Sequence, residues 1–153
     1  MKILALIALL GMIAYLIYST IRAKEIPDSI SDTAYINSPK AFAVFMGLLT
    51  TALTPVLLET ASEPSKWAAF LTIVGLLMVH LTPKYKQENG AMHYTGGVLA
   101  GISSQVLVAV NTPAFLLSWL AYPALFLDKD NRVFWAELIC AANTFGFIAK
   151  ALV

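Results

Sequence analysis

The side chains that could do chemistry in this sequence are few: His80, His93, Asp28, Asp32, Glu137, Ser29 and Ser31. His, Asp and Glu are zinc-type ligands, and a catalytic zinc takes three protein ligands and a water. A metal-bound water could attack an acyl or amide carbonyl, with Asp32, His80, His93 and Glu137 as ligands or base. No H-E-x-x-H spacing is present, so neither a metal nor another cofactor is expected. A histidine at a helix end is more often an interfacial hydrogen-bonding group. The two serines fall in IPDSISDTAYI, Ile26 to Ile36, a polar stretch between two long apolar runs. Pro27 favours extended backbone. Ser29 or Ser31 could cap a short turn or re-entrant helix, and Asp32 could accept backbone N–H bonds. Ile30, Tyr35 and Ile36 would then pack beneath the bundle, with the polar groups held by His93, Tyr94 or backbone.

The elements that must position these residues follow from composition. The chain is 59% hydrophobic and 12% charged over 153 residues, whereas soluble domains are about 45–50% apolar and about 25% charged. Six apolar runs stand out: Ile3–Ile21, Ala41–Leu58, Trp67–Leu81, Tyr94–Val110, Ala114–Leu127 and Val133–Val153. They are too long for strands and lack strict alternation, and several approach the roughly 20 residues that cross a bilayer as a helix. The expected fold is all-α: a single-domain polytopic transmembrane bundle of about six helices, the fifth short and broken by Pro123. Met1, Lys2 and the apolar run after them look like a signal peptide, but no A-x-A site follows, so a retained first helix is expected. Connectors carry turn residues, as in Asn111-Thr112-Pro113 and Asp128-Lys129-Asp130-Asn131-Arg132. Ser62 or Ser65 is suited to cap the third helix.

Charge orients the bundle. The odd-numbered connectors hold Arg22, Lys24, Lys40, Lys84, Lys86, Lys129 and Arg132, against Lys2, Lys66 and Lys150 on the other side. By the positive-inside rule the odd connectors face the cytoplasm and both termini face outward. Ser29, Ser31, Asp32, His80, His93, Tyr94 and Glu137 then share one cytoplasmic mouth. The net charge of +1 and the lack of a basic tract argue against a nucleic-acid partner. Cys140, the one cysteine, cannot form an internal disulfide.

Within the spans, Gly97, Gly101, Gln105 and Val108 fall on one face of the fourth run, with Ser104 beside them. Small residues there permit close packing, and Gln105 can hydrogen-bond to a neighbour; the same face could line a cavity. Thr50 and Thr54 lie one turn apart before Pro55. Cys140, Asn143 and Lys150 share a face of the last run. Glu137, an ionisable group inside a span, is either a paired structural group or a site residue.

SISDTAYINSPKAFAVFMGLL, Ser29 to Leu49, resembles the first-loop pattern of a family of bacterial six-helix membrane proteins of unknown function. TPKYKQENGAMHYTGG, Thr82 to Gly97, resembles that family's third connector. The resemblance implies a bacterial inner-membrane bundle and equates the family's loop acid with Asp32 and its helix-four histidine with His93. A more distant likeness is to the alkaline ceramidase and adiponectin receptor superfamily of intramembrane hydrolases. Its zinc site implies three histidines, and this chain has two. The leading expectation is therefore a membrane protein that contacts membrane lipids and binds a lipid, small ligand or protein partner without catalysis. A channel or transporter, with Ser103, Ser104, Gln105, Asn143 and the helix-two threonines along a path or with a homo-oligomeric pore, is the second. A metal-dependent lipid hydrolase is the third.

Overall fold

A computed structural model describes residues 1–125 and 131–153, with the side chains of 124 and 125 left undescribed. Its α-helices are α1 (Lys2–Ala23), α2 (Thr33–Ile36), α3 (Pro39–Thr60), α4 (Lys66–Leu81), α5 (Gly90–Asn111), α6 (Tyr122–Leu125) and α7 (Arg132–Leu152). Two 3-10 segments, Glu63–Ser65 and Pro113–Ala121, complete the described residues, among which there is no strand. The expected turn at Asp128, Lys129 and Asp130, and the end of the fifth run, lie outside the described residues.

Local chemistry sets the boundaries. At the end of α1, Lys24 adopts a left-handed conformation (φ 61°) and its N–H donates to the Thr20 carbonyl at 2.9 Å, the usual way of satisfying a last-turn carbonyl. Ser38 caps α3: its Oγ accepts from the Ala41 N–H at 3.0 Å, and Pro39 takes the first helical position, where its missing N–H costs nothing. Proline also follows α4 and α5, at Pro83 and Pro113. The fifth run does not form an α-helix as expected. Its first eight residues, with Pro113 before them, wind as a 3-10 helix, and among its described residues Tyr122–Leu125 is α-helical. Hydropathy does not distinguish i+3 from i+4 hydrogen bonding, so the tighter winding left no mark in the sequence pattern.

Hydrogen bonds fix which ends lie together. Asn111, closing α5, donates to Ser65 Oγ at 2.8 Å and accepts from the Ser62 N–H at 3.3 Å. At the opposite end the Phe134 N–H donates to the Asp28 carbonyl at 3.0 Å. Thr112 and Phe134 therefore sit at opposite ends of the bundle. α4 and α5 pack most intimately. A Cβ on Gly75 would lie 2.5 Å from the Ala100 nitrogen, and one on Gly96 would lie 2.6 Å from Met78 Cβ. Beside this crossing, Thr72 and Ser103 share a hydrogen bond of 3.0 Å.

The distribution of polarity is inverted relative to a water-soluble domain. Ser19, Thr50, Thr72, Ser103, Ser104, Asn143 and Thr144 are buried, whereas Ile3, Leu6, Ile7, Leu10, Leu48, Phe70, Val98 and Ile102 are exposed. Among the described residues four helices, Lys2–Ala23, Pro39–Thr60, Glu63–Leu81 (counting its 3-10 turn) and Arg132–Leu152, are long and apolar enough to cross a membrane. α5 is as long as α1 and α3 but more polar, with Gly96, Gly97, Ser103, Ser104 and Gln105 in its middle.

Candidate functional site

The stretch from Asp28 to Asn37 folds back over one end of the bundle as a turn followed by α2. Ile30 and Tyr35 pack against the core, and Thr33 and Ala34 are fully buried. Several of its polar groups are tied down. Ser29 Oγ donates to Asp32 Oδ2 at 2.9 Å and accepts from the Asp32 N–H at 3.0 Å. The Ile30 N–H donates to Glu137 Oε2 at 2.5 Å, joining the loop to the first turns of α7. Ser31 Oγ lies 2.9 Å from His93 Nε2 on α5.

The connector between α4 and α5 closes the other side. Tyr85 donates its hydroxyl to Asp32 Oδ1 at 2.8 Å, and the Lys86 ammonium pairs with the same oxygen. The Lys86 N–H donates to the Tyr35 hydroxyl at 2.8 Å. The Tyr85 ring stacks on His93, with centroids 4.0 Å apart and planes 14° from parallel. It also meets Tyr35 and Tyr94 edge-on. His93 Nδ1 faces Thr82, at 3.0 Å from its carbonyl oxygen and 3.1 Å from Oγ1.

Charge at this mouth is organised around Asp32. Burial on its own would raise the Asp32 carboxyl, but hydrogen bonds from Lys86, Tyr85 and Ser29 outweigh it and hold the group below its usual value. Burial and the adjacent Asp32 carboxylate push the Tyr85 phenol well above its ordinary range. The hydrogen bond to Asp32 raises Lys86. At neutral pH the cluster is thus a carboxylate, an ammonium and a neutral phenol.

Of the expected mouth residues, the fold brings together Ser29, Ser31, Asp32, His93, Tyr94 and Glu137. It keeps His80 apart. His80 Nδ1 meets the Ala43 carbonyl at 2.9 Å in the α3–α4 seam, where the ring fills the space left by Gly47. Among the described residues no three His, Cys, Asp or Glu side chains come together in a way that could hold a metal ion. Thr82, Tyr85 and Lys86 belong to the cluster although sequence reasoning did not select them. An aromatic residue between two lysines in a short connector, Lys84-Tyr85-Lys86, was the available signal.

The mid-depth polar residues form a second cluster. Gln105 Oε1 accepts from Trp119 Nε1 at 2.9 Å and from Asn143 Nδ2 at 2.8 Å, while Nε2 donates to Ser104 Oγ at 3.2 Å and to the Cys140 carbonyl at 3.3 Å. Asn143 Oδ1 accepts from Ser118 at 2.8 Å. This cluster ties the 3-10 helix to α5 and α7. The close approach expected at Gly97 and Gly101 occurs one residue earlier, at Gly96. A Cβ on Gly97 would meet nothing within 4 Å among the described residues, and one on Gly101 would sit 3.9 Å from Cys140 Sγ. Thr54 donates to the Thr50 carbonyl at 2.8 Å. The buried Thr50 hydroxyl has no partner among the described residues.

One open groove runs along the outer face between α4 and α5, with a volume of about 490 Å³. Leu71, Val98, Leu99 and Ile102 line it, with Trp67 toward the far end and Tyr94 at the mouth. The fold and the clusters define an all-helical bundle with an apolar exterior, a polar interior seam and an ordered polar mouth. No family model, curated protein or solved structure matches the chain.

Proposed function

We propose that this chain is an integral membrane protein that crosses the bilayer six times and holds a membrane lipid against its α4–α5 face. The observation that carries this reading is the contrast between the two kinds of surface. The polar side chains of the mouth and of the Gln105 cluster are paired largely with one another, while the groove between α4 and α5 is apolar and lies among exposed apolar side chains. Lining residues from Tyr94 to Val106 span about 18 Å at 1.5 Å per residue, close to the half-thickness of about 15 Å of a bilayer's hydrocarbon core. An acyl chain is the occupant of that length and polarity. Tyr94, at the mouth end of the groove, suits a membrane interface. Arg22, Lys24, Lys40, Lys84, Lys86 and Arg132 at the mouth end favour the cytoplasmic side for the mouth, with both termini outside. A path for ions or solutes is less well supported, because Gln105 and Asn143 at mid-depth are already paired.

The test is lipid retention. Protein extracted in mild detergent should carry bound phospholipid or fatty acid, read by native mass spectrometry. Val98→Trp, which fills the groove from an exposed position, should lower that occupancy about tenfold with the fold unchanged. Equal occupancy in the two proteins would refute the groove as the lipid site.

A further inference from the structure

We propose that Ser31 and His93 are a nucleophile and its general base, acting on a carboxylic ester presented at the mouth. The proton positions follow from the partners. His93 Nδ1 faces the Thr82 carbonyl, which can only accept. It also faces Thr82 Oγ1, whose own proton is directed to the Met78 carbonyl at 2.6 Å. Nδ1 therefore carries hydrogen. A neutral imidazole has one N–H, so Nε2 is the bare nitrogen, and the contact of 2.9 Å with Ser31 Oγ is a serine hydroxyl donating to a base. This is the serine–histidine–acceptor relation of nucleophilic hydrolases, with a backbone carbonyl as the third, orienting group.

The geometry is held from every side. His93 is 3% exposed, stacked on Tyr85 and bonded at both ring nitrogens. Ser31 is half-buried at the surface turn leading into α2. Among the described residues its N–H has no acceptor, so it is free to donate to a developing oxyanion, as the nucleophile's own amide does in serine hydrolases. Ser29 differs, because its hydroxyl is spent on Asp32 in both directions.

The substrate class rests on the lipid reading above. The groove ends at Tyr94, whose ring centroid is 6.2 Å from that of His93. An acyl chain in the groove would bring its ester to this end. Ser31 Oγ adds to the carbonyl carbon as its proton passes to His93 Nε2. The bond to the leaving alcohol then breaks, and the alcohol oxygen takes that proton. Water attacks the acylated Ser31 and gives a proton to Nε2, which returns it to Ser31 Oγ as the carboxylic acid departs.

The experiment uses the full chain in detergent and a fluorophosphonate probe, in which serine oxygen displaces fluoride from phosphorus. The expected result is one label on the peptide carrying Ser31. It should be absent in Ser31→Ala and unchanged in Ser62→Ala at the opposite end. It should form about 100-fold more slowly in His93→Gln, the scale of a lost general base. Ser31→Cys keeps a partner for Nε2 and gives a second readout. Its alkylation by iodoacetamide should outpace that of the double variant Ser31→Cys/His93→Gln. Folded wild-type protein that takes no label, with Ser31→Cys no more reactive than the double variant, would overturn the proposal. Bound lipid without labelling would overturn the pair and leave the lipid reading standing. Labelling of Ser31 without bound lipid would uphold the pair and overturn the groove.

Discussion

Replacing Asp32 by Asn removes one charge from a side chain that receives three donors: Tyr85 at 2.8 Å, Ser29 at 2.9 Å and the Lys86 ammonium. Asparagine keeps an acceptor for Tyr85. It turns an N–H₂ toward the Ser29 hydroxyl and leaves Lys86 without its counter-charge. Hydrogen bonds to a charged group contribute about 1.5–3 kcal/mol each, against about 1 for neutral ones. Lys86 is 52% exposed, so its pairing is screened and adds only about 0–1 kcal/mol. Keeping one bond in neutral form and losing another gives an expected cost of about 2 kcal/mol. For a chain of this size that lowers Tm by about 4–8 °C. The acid dependence supplies the sharper test. Asp32 is held below its usual value in the folded state. Its contribution is therefore complete above the unfolded value of about 3.9 and is lost as pH falls through the lower folded value. Unfolding in detergent, followed by tryptophan fluorescence from pH 7 to pH 3, should show the wild-type advantage shrinking at the acid end. A constant difference at all pH values, or none, would refute the assignment of Asp32 as the charged centre of the mouth.

Three further tests probe the rest of the framework. Gly96→Ala should destabilise by about 1–3 kcal/mol through overpacking, since its Cβ would lie 2.6 Å from Met78 Cβ; Gly97→Ala should be neutral, and equal melting of the two would refute the seam. Gln105→Leu strips Trp119 and Asn143 of their shared acceptor and should cost about 1–3 kcal/mol, with a shift in tryptophan emission as the indole N–H loses its partner. Glu137→Leu removes the acceptor of the Ile30 N–H and should speed both amide exchange at Ile30 and proteolysis at Lys24, whereas Glu137→Gln should retain most of the protection; equal rates in the two variants would show that Glu137 does not hold the loop.

Helix placement was legible because apolar runs bounded by Pro, Gly and Asn record both length and termini. The run from Ala41 to Leu58 became α3 (Pro39–Thr60), and that from Val133 became α7 (Arg132–Leu152). Angular detail was not legible. Gly96 and Gly97 differ by about 100° around α5, and only the first meets α4. The two histidines stand near the same end of adjacent helices, but one points into the α3–α4 seam and the other under the loop. The mouth could be anticipated in kind, since Ser, Asp and His were expected at one end. Its partners could not, because Tyr85 reaches Asp32 across 53 residues and Glu137 reaches Ile30 across 107. Pairings that distant are decided by how whole helices dock, which no local pattern encodes.

The serine–histidine pair escaped a count of catalytic side chains for a related reason. Its third member is a backbone carbonyl, which every residue possesses, so composition gives no hint of it. What separates this pair from the other polar contacts is how its protons are constrained. Gln105 uses both lone-pair directions and both N–H bonds, so none of its contacts can shift without breaking another. Asp32 is an acceptor throughout, fixed by three donors. In the pair, the ring is immobilised through Nδ1 while Nε2 holds only the Ser31 proton. That proton can move to the ring without breaking a second contact. A group that serves only to anchor a loop gains nothing from that freedom, and a nucleophile requires it. Labelling of Ser31 therefore decides between the two roles more directly than any measurement of stability, because an anchoring bond and a catalytic one would cost about the same to remove.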